Sequence, residues 1–434
     1  MINFNKPQNY YLGARKEHPT IPEKRYLFYD IFLDYSGRIV FLSHYYPDWK
    51  IDFDKIEIFY GDKKLPINFV RHLKKGQDYS DDAFGMVIGK TDIIGKDIDS
   101  ASIKVVYDKG NTEIFSKSFV LQKDIECDDV VMSTVFRGDT YLLKMWLDYH
   151  IKIGVDKFYV YFNGPVESYL EHGELVDKGK RTDLIVHNKN TPGLNILDEY
   201  IESGKVVLTE WNYSGGISIN WSEVDESVFD REWWNSNSRL HQDHTMTHAL
   251  WKLKGRVKWI GYFDLDEYIV LPRYVKNVKE CLFLDGSVYQ LHECRSILKG
   301  FEKPEDFGKN NGINDLLGND ISISSEFLED EEKWLFGYGG AKKCWVNPNN
   351  NYIMEAHVPK YPIGIGTSFY DGNKISWGIS PLKIPRESPK NILIHEMYYF
   401  HMIQFTKNRE LPKEWELEVF DIFKKMPRID WRDK

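Results

Sequence analysis

The first quarter of the chain alternates apolar and polar residues with a period of two. Over residues 25–122 this alternation is interrupted by turn residues, with clear examples around Gly37 and Gly110. Short alternating runs separated by such turns are typical of antiparallel strands. The pattern predicts a β-rich, sandwich-like domain over residues 1–123, and no cluster of reactive side chains accompanies it.

The period then changes. An apolar run at 129–136 predicts a buried parallel strand, and the stretch after it has apolar residues at helical spacing up to Gly154. A second apolar strand follows over 156–164. Strand, helix and strand in this order form a βαβ unit, and the sequences DLIVHN and KVVLTEW continue the alternation. We therefore expect an α/β domain over 124–410, followed by a helical tail over 411–434.

The strand ends of this unit are candidate nucleotide contacts, because open α/β sheets bind ligands at the carboxyl ends of their strands. Asp139 follows the first strand and Asn163 ends the second, so we expect both to contact a nucleoside. Arg137 lies at the first of these ends and is a candidate for neutralising phosphate charge. Lys342 and Lys343 follow the glycines of FGYGGAKK and are further candidates. A plain turn is the alternative for that glycine segment.

The sequence VKWIGYFDLDEYIVLP carries the clearest chemistry. An apolar strand ends in Asp264-Leu265-Asp266-Glu267, and apolar character then resumes. Alternation along a strand would place Asp264 and Asp266 on one face. Two carboxylates this close repel each other unless a cation neutralises them, and carboxylate oxygens suit Mg²⁺ or Mn²⁺. We therefore expect a Mn²⁺ or Mg²⁺ site that substrate phosphates complete.

Composition and charge narrow the function classes. The formal net charge of −9 argues against a generally basic surface for nucleic acid. No apolar run is long enough for a bilayer span, and the N-terminus lacks a secretory pattern. Cys127, Cys281, Cys294 and Cys344 lack CxxC spacing, so we expect reduced thiols, with a disulfide as the lesser alternative. These features favour a soluble cytoplasmic protein.

Several motifs in combination resemble glycosyltransferase family 92 and its bacterial relatives in the family 2-like group, over residues 124–410. The sequence from VVMSTVF to YVYFNG resembles the family's opening strand, helix and strand. KWIGYFDLDEYIV resembles its metal-binding segment, KKCWVNPNNNYIMEAHVPK its Lys–Pro–His stretch, and HEMYYFHMIQFTKNRE its closing element. Arg137-Gly138-Asp139 departs from the family's Lys-Asn-Glu, and LHECRSILKG replaces its Trp–Phe-Gly-Ser element.

The resemblance implies a GT-A fold, a nucleotide-sugar donor with UDP preferred, a glycan or other hydroxyl acceptor, Mn²⁺, and inversion at the anomeric carbon. His357 and His401 stand at matching family positions, and we favour His357 over His401 as a further metal ligand. Inversion needs a carboxylate that deprotonates the acceptor hydroxyl. Glu293, on the strand after the metal segment, and Asp330 are the candidates. A solvated acidic face is the alternative for Asp330.

Other interpretations stay open beside this one. His241, His244 and His248 share one face of a predicted helix and could bind zinc, although a structural role is favoured. The chain could be an inactive, carbohydrate-binding relative of the transferases. A phosphohydrolase of the haloacid dehalogenase type is less favoured, because Glu267 and Tyr268 stand where that chemistry needs a Gly-Thr turn.

Overall fold

The structure is a computed structural model. It describes residues 2–7, 10–14, 24–35, 39–45, 56–60, 62–73, 85–91, 100–108, 112–120, 128–136, 140–176, 185–212, 240–271, 275–282, 288–298, 321–323, 342–354, 359–362, 368–371, 374–377 and 398–402. The helical tail expected at 411–434 lies outside these residues.

The strands before residue 121 pair antiparallel, as their alternating sequences predict. Their bounds are β1 (Tyr10–Ala14), β2 (Lys24–Phe28), β3 (Asp30–Leu33), β4 (Ile39–Tyr45), β5 (Ile56–Tyr60), β6 (Lys63–Leu65), β7 (Ile67–Leu73), β8 (Gly85–Thr91), β9 (Ser100–Asp108) and β10 (Thr112–Val120). The hairpins predicted around Gly37 and Gly110 are confirmed as β3–β4 and β9–β10.

The remainder of the described chain mixes strands and helices. The strands are β11 (Asp128–Phe136), β12 (Lys157–Phe162), β13 (His172–Val176), β14 (Ile185–Pro192), β15 (Val206–Glu210), β16 (Val257–Tyr262), β17 (Glu267–Val270), β18 (Val288–Leu298), β19 (Ile321–Ile323), β20 (Lys342–Val346), β21 (Asn351–Met354), β22 (Pro359–Pro362), β23 (Ser368–Asp371), β24 (Lys374–Trp377) and β25 (Tyr398–Met402). The α-helices are α1 (Thr140–Lys152), α2 (Asp198–Glu202) and α3 (Leu240–Leu253), with 3₁₀ turns at Val166–Tyr169, Leu194–Leu197, Val278–Glu280 and Pro348–Asn350. In the described residues, no helix combines the length and the apolar character that crossing a bilayer demands.

A mixed sheet forms the centre of the α/β part, with the strand order β15–β12–β11–β16–β20–β18–β25–β17 and β19 beside β18. The strands β15, β12, β11 and β16 are parallel, so the predicted βαβ unit is confirmed. DLIVHN does not continue the unit, and that expectation is wrong. Its strand β14 pairs antiparallel with β13 in a separate two-stranded sheet, because an apolar run specifies a strand but not its partner.

Apolar side chains cover both faces of this sheet. Along β11, Val130 and Met132 pack in the cluster that contains Trp146 of α1, whereas Val131 packs in the cluster that contains Trp251 of α3. Parallel strands buried on both faces need an unbroken apolar sequence, which explains the run at 129–136. The sheet therefore has α1 on one face and α3 on the other.

Backbone pairing crosses the domain boundary expected after residue 123. Strand β23 pairs with β7, so the six-stranded sheet β24–β23–β7–β8–β4–β3 contains residues from both sides of that point. At the edge of the central sheet, the Asn5 N–H donates to Leu208 O at 2.8 Å, and the Glu210 N–H donates to Asn5 O at 2.9 Å. The boundary stays a prediction, and the two parts are joined by hydrogen bonds at both places.

Candidate functional site

The strand order reverses between β11 and β16, in the middle of the sheet. Chain order continues from β11 to β12 on one side, whereas β16 lies on the other side. Open α/β sheets bind ligands outside the carboxyl ends of strands at such a switch point. These ends are Phe136 in β11 and Tyr262 in β16. Asn163 lies at the same edge, because its N–H donates to Phe136 O at 2.9 Å; its contact with a nucleoside stays a prediction.

Three carboxylates lie together directly after β16, in a segment that we call the carboxylate turn (residues 264–267). One oxygen from each of Asp264, Asp266 and Glu267 lies within 4.8 Å of the other two. The Asp264 side chain is 37% exposed, whereas Asp266 and Glu267 are buried. The cluster therefore reaches solvent through Asp264 and is otherwise enclosed by protein.

The backbone here differs from the predicted geometry. Strand β16 ends at Tyr262 and β17 begins at Glu267, so Asp264 and Asp266 lie between the strands rather than on one face of a strand. The Glu267 N–H donates to the Asp264 carbonyl at 3.1 Å, and the Asp264 N–H donates to the Glu267 carboxylate at 2.8 Å. This pair of hydrogen bonds closes the turn and brings the carboxylates together.

Lys343 of β20 is the cation that faces the carboxylate turn. Its Nζ lies 2.7 Å from Asp264 Oδ2 and 3.2 Å from Glu267 Oε2, and its side chain is 1% exposed. Burial alone would lower the pKa of Lys343, but the two carboxylates outweigh burial and raise this pKa above its usual value. Lys343 is thus the cation that pairs with Asp264 and Glu267, and its contact with a donor phosphate stays a prediction.

Gln242 of α3 contacts the other oxygen of the same carboxylate. Its Nε2 donates to Asp264 Oδ1 at 2.8 Å, while Lys343 donates to Oδ2. Sequence reasoning missed Gln242, because no motif marks it and it lies 22 positions from Asp264. Glu267 was visible in the acidic run, but its part in closing the turn was not. Together, Gln242 and Lys343 fix the orientation of Asp264.

The histidines of α3 that were considered for zinc include two in the core. His244 and His248 are buried. His248 has its Nδ1 2.8 Å from the Tyr161 hydroxyl and its Nε2 2.7 Å from the Asp30 carboxylate. Burial lowers the pKa of His248, against the opposing effect of Asp30. Because both ring nitrogens are engaged, His248 has a structural role; the side chain of His241 lies outside the described part.

Other predicted site residues are described by backbone position only. In the β17–β25 pair, Glu267 is the Cα partner of His401. In the β18–β20 pair, His292 is the Cα partner of Lys342. Glu293 is the next residue along β18 after this paired position. This is the edge of the sheet that carries the carboxylate turn. Outside the described residues lie Arg137, Asp139, Asp330, His357 and His395.

One comparison with known proteins finds a family similar to the central part of the chain. Residues 184–371 match the family model of glycosyltransferase family 92. Among curated proteins, none matches the chain. A solved structure from Bacteroides fragilis NCTC 9343, provisionally named an alpha-galactosidase/melibiase, is 11% identical in sequence to this chain. Its TM-score against this chain is 0.13. The alignment covers 48% of this chain and 38% of that one, and a likeness this low carries no argument.

The matched segment contains the carboxylate turn, Lys343 and the strand that carries Glu293. The opening βαβ unit with Asn163 precedes it, and His401 follows it. The segment 184–371 is thus similar to glycosyltransferase family 92, and this match supports a glycosyltransferase.

Proposed function

We propose that the protein is a metal-dependent glycosyltransferase of the GT-A type that moves a sugar from a UDP-sugar to a glycan or other hydroxyl acceptor, with inversion. In this proposal the N-terminal sheets form a sandwich beside the transferase part. The observation that supports the proposal most is the carboxylate turn at the switch point of the sheet. A nucleotide binds at such a point, and clustered carboxylates suit the cation that accompanies a diphosphate.

The residues of the turn fit a hard divalent cation. Three carboxylates facing one lysine leave a formal charge of −2, which Mn²⁺ or Mg²⁺ would neutralise. Asp264 and Asp266 are the proposed ligands. His401 is a further candidate because its Cα is the partner of Glu267, and His357 remains one by resemblance. The bound ion would supply positive charge for the departing diphosphate.

Residues of the chain itself prepare the site for this chemistry. Gln242 and Lys343 hold the two oxygens of Asp264 in place, so the metal would meet an ordered ligand. The strand end at Asn163 is the proposed nucleoside contact, together with Asp139. Arg137 and Lys342 are the proposed phosphate contacts.

An inverting transfer also needs a base. As the acceptor oxygen bonds to the anomeric carbon and the diphosphate leaves, a carboxylate takes the acceptor proton. We assign this role first to Glu293, whose backbone lies at the same edge of the sheet as the carboxylate turn, and second to Asp330. We also propose a cytoplasmic location, which the free, buried thiol of Cys344 supports.

The test is turnover of UDP-, GDP- and CMP-linked sugars with Mn²⁺, followed by release of the nucleotide. We expect turnover with a UDP-sugar, loss of turnover in EDTA, and recovery when Mn²⁺ is restored. Asp266→Ala should abolish it. The matched control is Asp129→Ala, because Asp129 pairs with exposed Lys258 at the other end of β11. Undiminished turnover in EDTA, or a preference for GDP- or CMP-sugars, contradicts the proposal. Failure of every donor would favour the non-catalytic, carbohydrate-binding interpretation.

A further inference from the structure

Lys343 is enclosed between two carboxylates of the carboxylate turn. Its ammonium lies 2.7 Å from Asp264 and 3.2 Å from Glu267, with 1% of the side chain exposed. Moving it towards a ligand would leave buried Glu267 without this cation, which is costly in a protein interior. The lysine therefore acts where it is, through its charge on the turn.

The hydrogen bonds of Asp264 leave acceptor capacity for a metal at the same carboxylate. Gln242 and Lys343 each use one oxygen of Asp264. Each carboxylate oxygen has two acceptor positions, so both oxygens keep capacity for a further partner. The lysine and a divalent cation can thus share Asp264.

Resting on the metal site of the proposed function, we propose that Lys343 is a positioning residue that sets the charge of the carboxylate turn. It holds Asp264 and Glu267 together before a cation arrives. It weakens their attraction for a free cation. It also leaves the assembly of turn and divalent cation formally neutral, and therefore able to accept a nucleoside diphosphate.

The charge count predicts that removing Lys343 changes metal binding and nucleotide binding in opposite directions. Without Lys343, the three carboxylates would carry a formal charge of −3, so a divalent cation would be attracted more strongly. The cation-loaded turn would still carry −1, and it would repel the diphosphate. Replacing Lys343 should therefore tighten metal binding and weaken nucleotide binding. A lysine that served packing alone would not separate the two affinities in this way.

Calorimetry on the full-length protein tests this. Mn²⁺ is titrated into metal-free wild type, Lys343→Met and Gln242→Met, and UDP is then titrated into each protein saturated with Mn²⁺. For Lys343→Met we expect Mn²⁺ to bind about tenfold tighter and UDP about tenfold weaker, from the loss of one nearby charge. Gln242→Met removes a hydrogen bond to the same Asp264 without changing charge, so it should not show this opposite pair of shifts.

The outcomes separate this inference from the proposed function. Wild type that binds no Mn²⁺ overturns the metal site and the inference together. Wild type that binds Mn²⁺, with Lys343→Met shifting both affinities the same way or neither, overturns the inference alone.

A second pair of variants covers the case in which Lys343→Met does not fold. Glu267→Gln reduces the formal charge of the turn to −1, and adding Lys343→Met returns it to −2, the wild-type value. Both variants lack the Glu267 carboxylate, so their difference isolates the lysine. We expect the double variant to bind Mn²⁺ about tenfold tighter than Glu267→Gln. Equal or weaker binding overturns the inference.

Discussion

Helix α3 connects two polar clusters that differ in charge: one is balanced and the other is negative. In its middle, His248 lies 2.7 Å from Asp30, a carboxylate that also has Lys252 at 3.3 Å. Near its first turn, Gln242 contacts Asp264, which belongs to a cluster of three carboxylates facing one buried lysine. The first cluster has a single carboxylate, Asp30, which is paired with buried His248 and with exposed Lys252. The second cluster has an excess of negative charge.

The difference separates structure from chemistry. A carboxylate buried with hydrogen-bonding partners stabilises an interface, and Asp30 does so between β3 and α3. An excess of carboxylates is unfavourable unless a cation joins them. The same helix thus anchors the N-terminal strands at one point and orients a candidate metal ligand at the other.

Breaking the cluster of His248 and Asp30 should have the largest effect on stability. His248→Leu removes the hydrogen bonds to Asp30 and Tyr161 and leaves a buried carboxylate with less compensation. We expect a loss of roughly 3–5 kcal/mol in the free energy of unfolding, measured in urea. Lys258→Met, which breaks the exposed pair with Asp129, is the control and should cost less than about 1 kcal/mol. Equal losses in the two variants would show that the cluster has no special role.

A change in packing beside the carboxylate turn should have an intermediate effect. A Cβ at Gly261 would lie 2.7 Å from the Trp345 ring, across the β16–β20 pair. Gly261→Ala should therefore destabilise the fold by about 1–3 kcal/mol in thermal or urea unfolding. Adding Trp345→Phe removes much of the opposing ring and should recover part of the loss. If the alanine variant unfolds like wild type, the two strands are not as tightly packed as described.

The smallest expected effect is on the pH dependence of stability. It concerns His150 of α1, which is buried as His248 is. His150 Nδ1 bonds to the Trp146 carbonyl at 2.8 Å rather than to a carboxylate, and burial lowers the pKa of His150 to about 3. Its neutral form is favoured in the fold, so stability is full above the ordinary histidine pKa of about 6.5 and falls as pH decreases towards 3.

His150→Phe keeps an aromatic ring and removes this titration. Between about pH 6.5 and 5, the free energy of unfolding should fall less steeply in the variant, by up to about 1.4 kcal/mol per pH unit. Urea unfolding at several pH values measures this slope. Parallel slopes for the variant and wild type would mean that His150 does not differ in protonation between the folded and unfolded states.

Sequence reasoning was strongest where local pattern determines structure. The apolar run at 129–136 and the helical spacing after it predicted the βαβ unit, and acidic residues after an apolar strand indicated the carboxylate cluster. It failed where the outcome depended on distant partners. Strand β14 pairs with β13 instead of the main sheet. The ammonium of Lys343 reaches Asp264 across 79 positions of sequence, and no local pattern could assign that contact.

The most direct test of the central claim is a melting curve of wild type and Asp266→Ala, each with and without Mn²⁺ plus UDP. Wild type should gain stability from the ligands, by about 2.7 kcal/mol at a hundred times the dissociation constant. Asp266→Ala should gain none, and in metal-free buffer it should melt no earlier than wild type, because it relieves repulsion within the carboxylate turn. Asp129→Ala, the control, should gain as wild type does. A mutant at Asp266 that melts much earlier yet is still stabilised by Mn²⁺ and UDP would contradict the account.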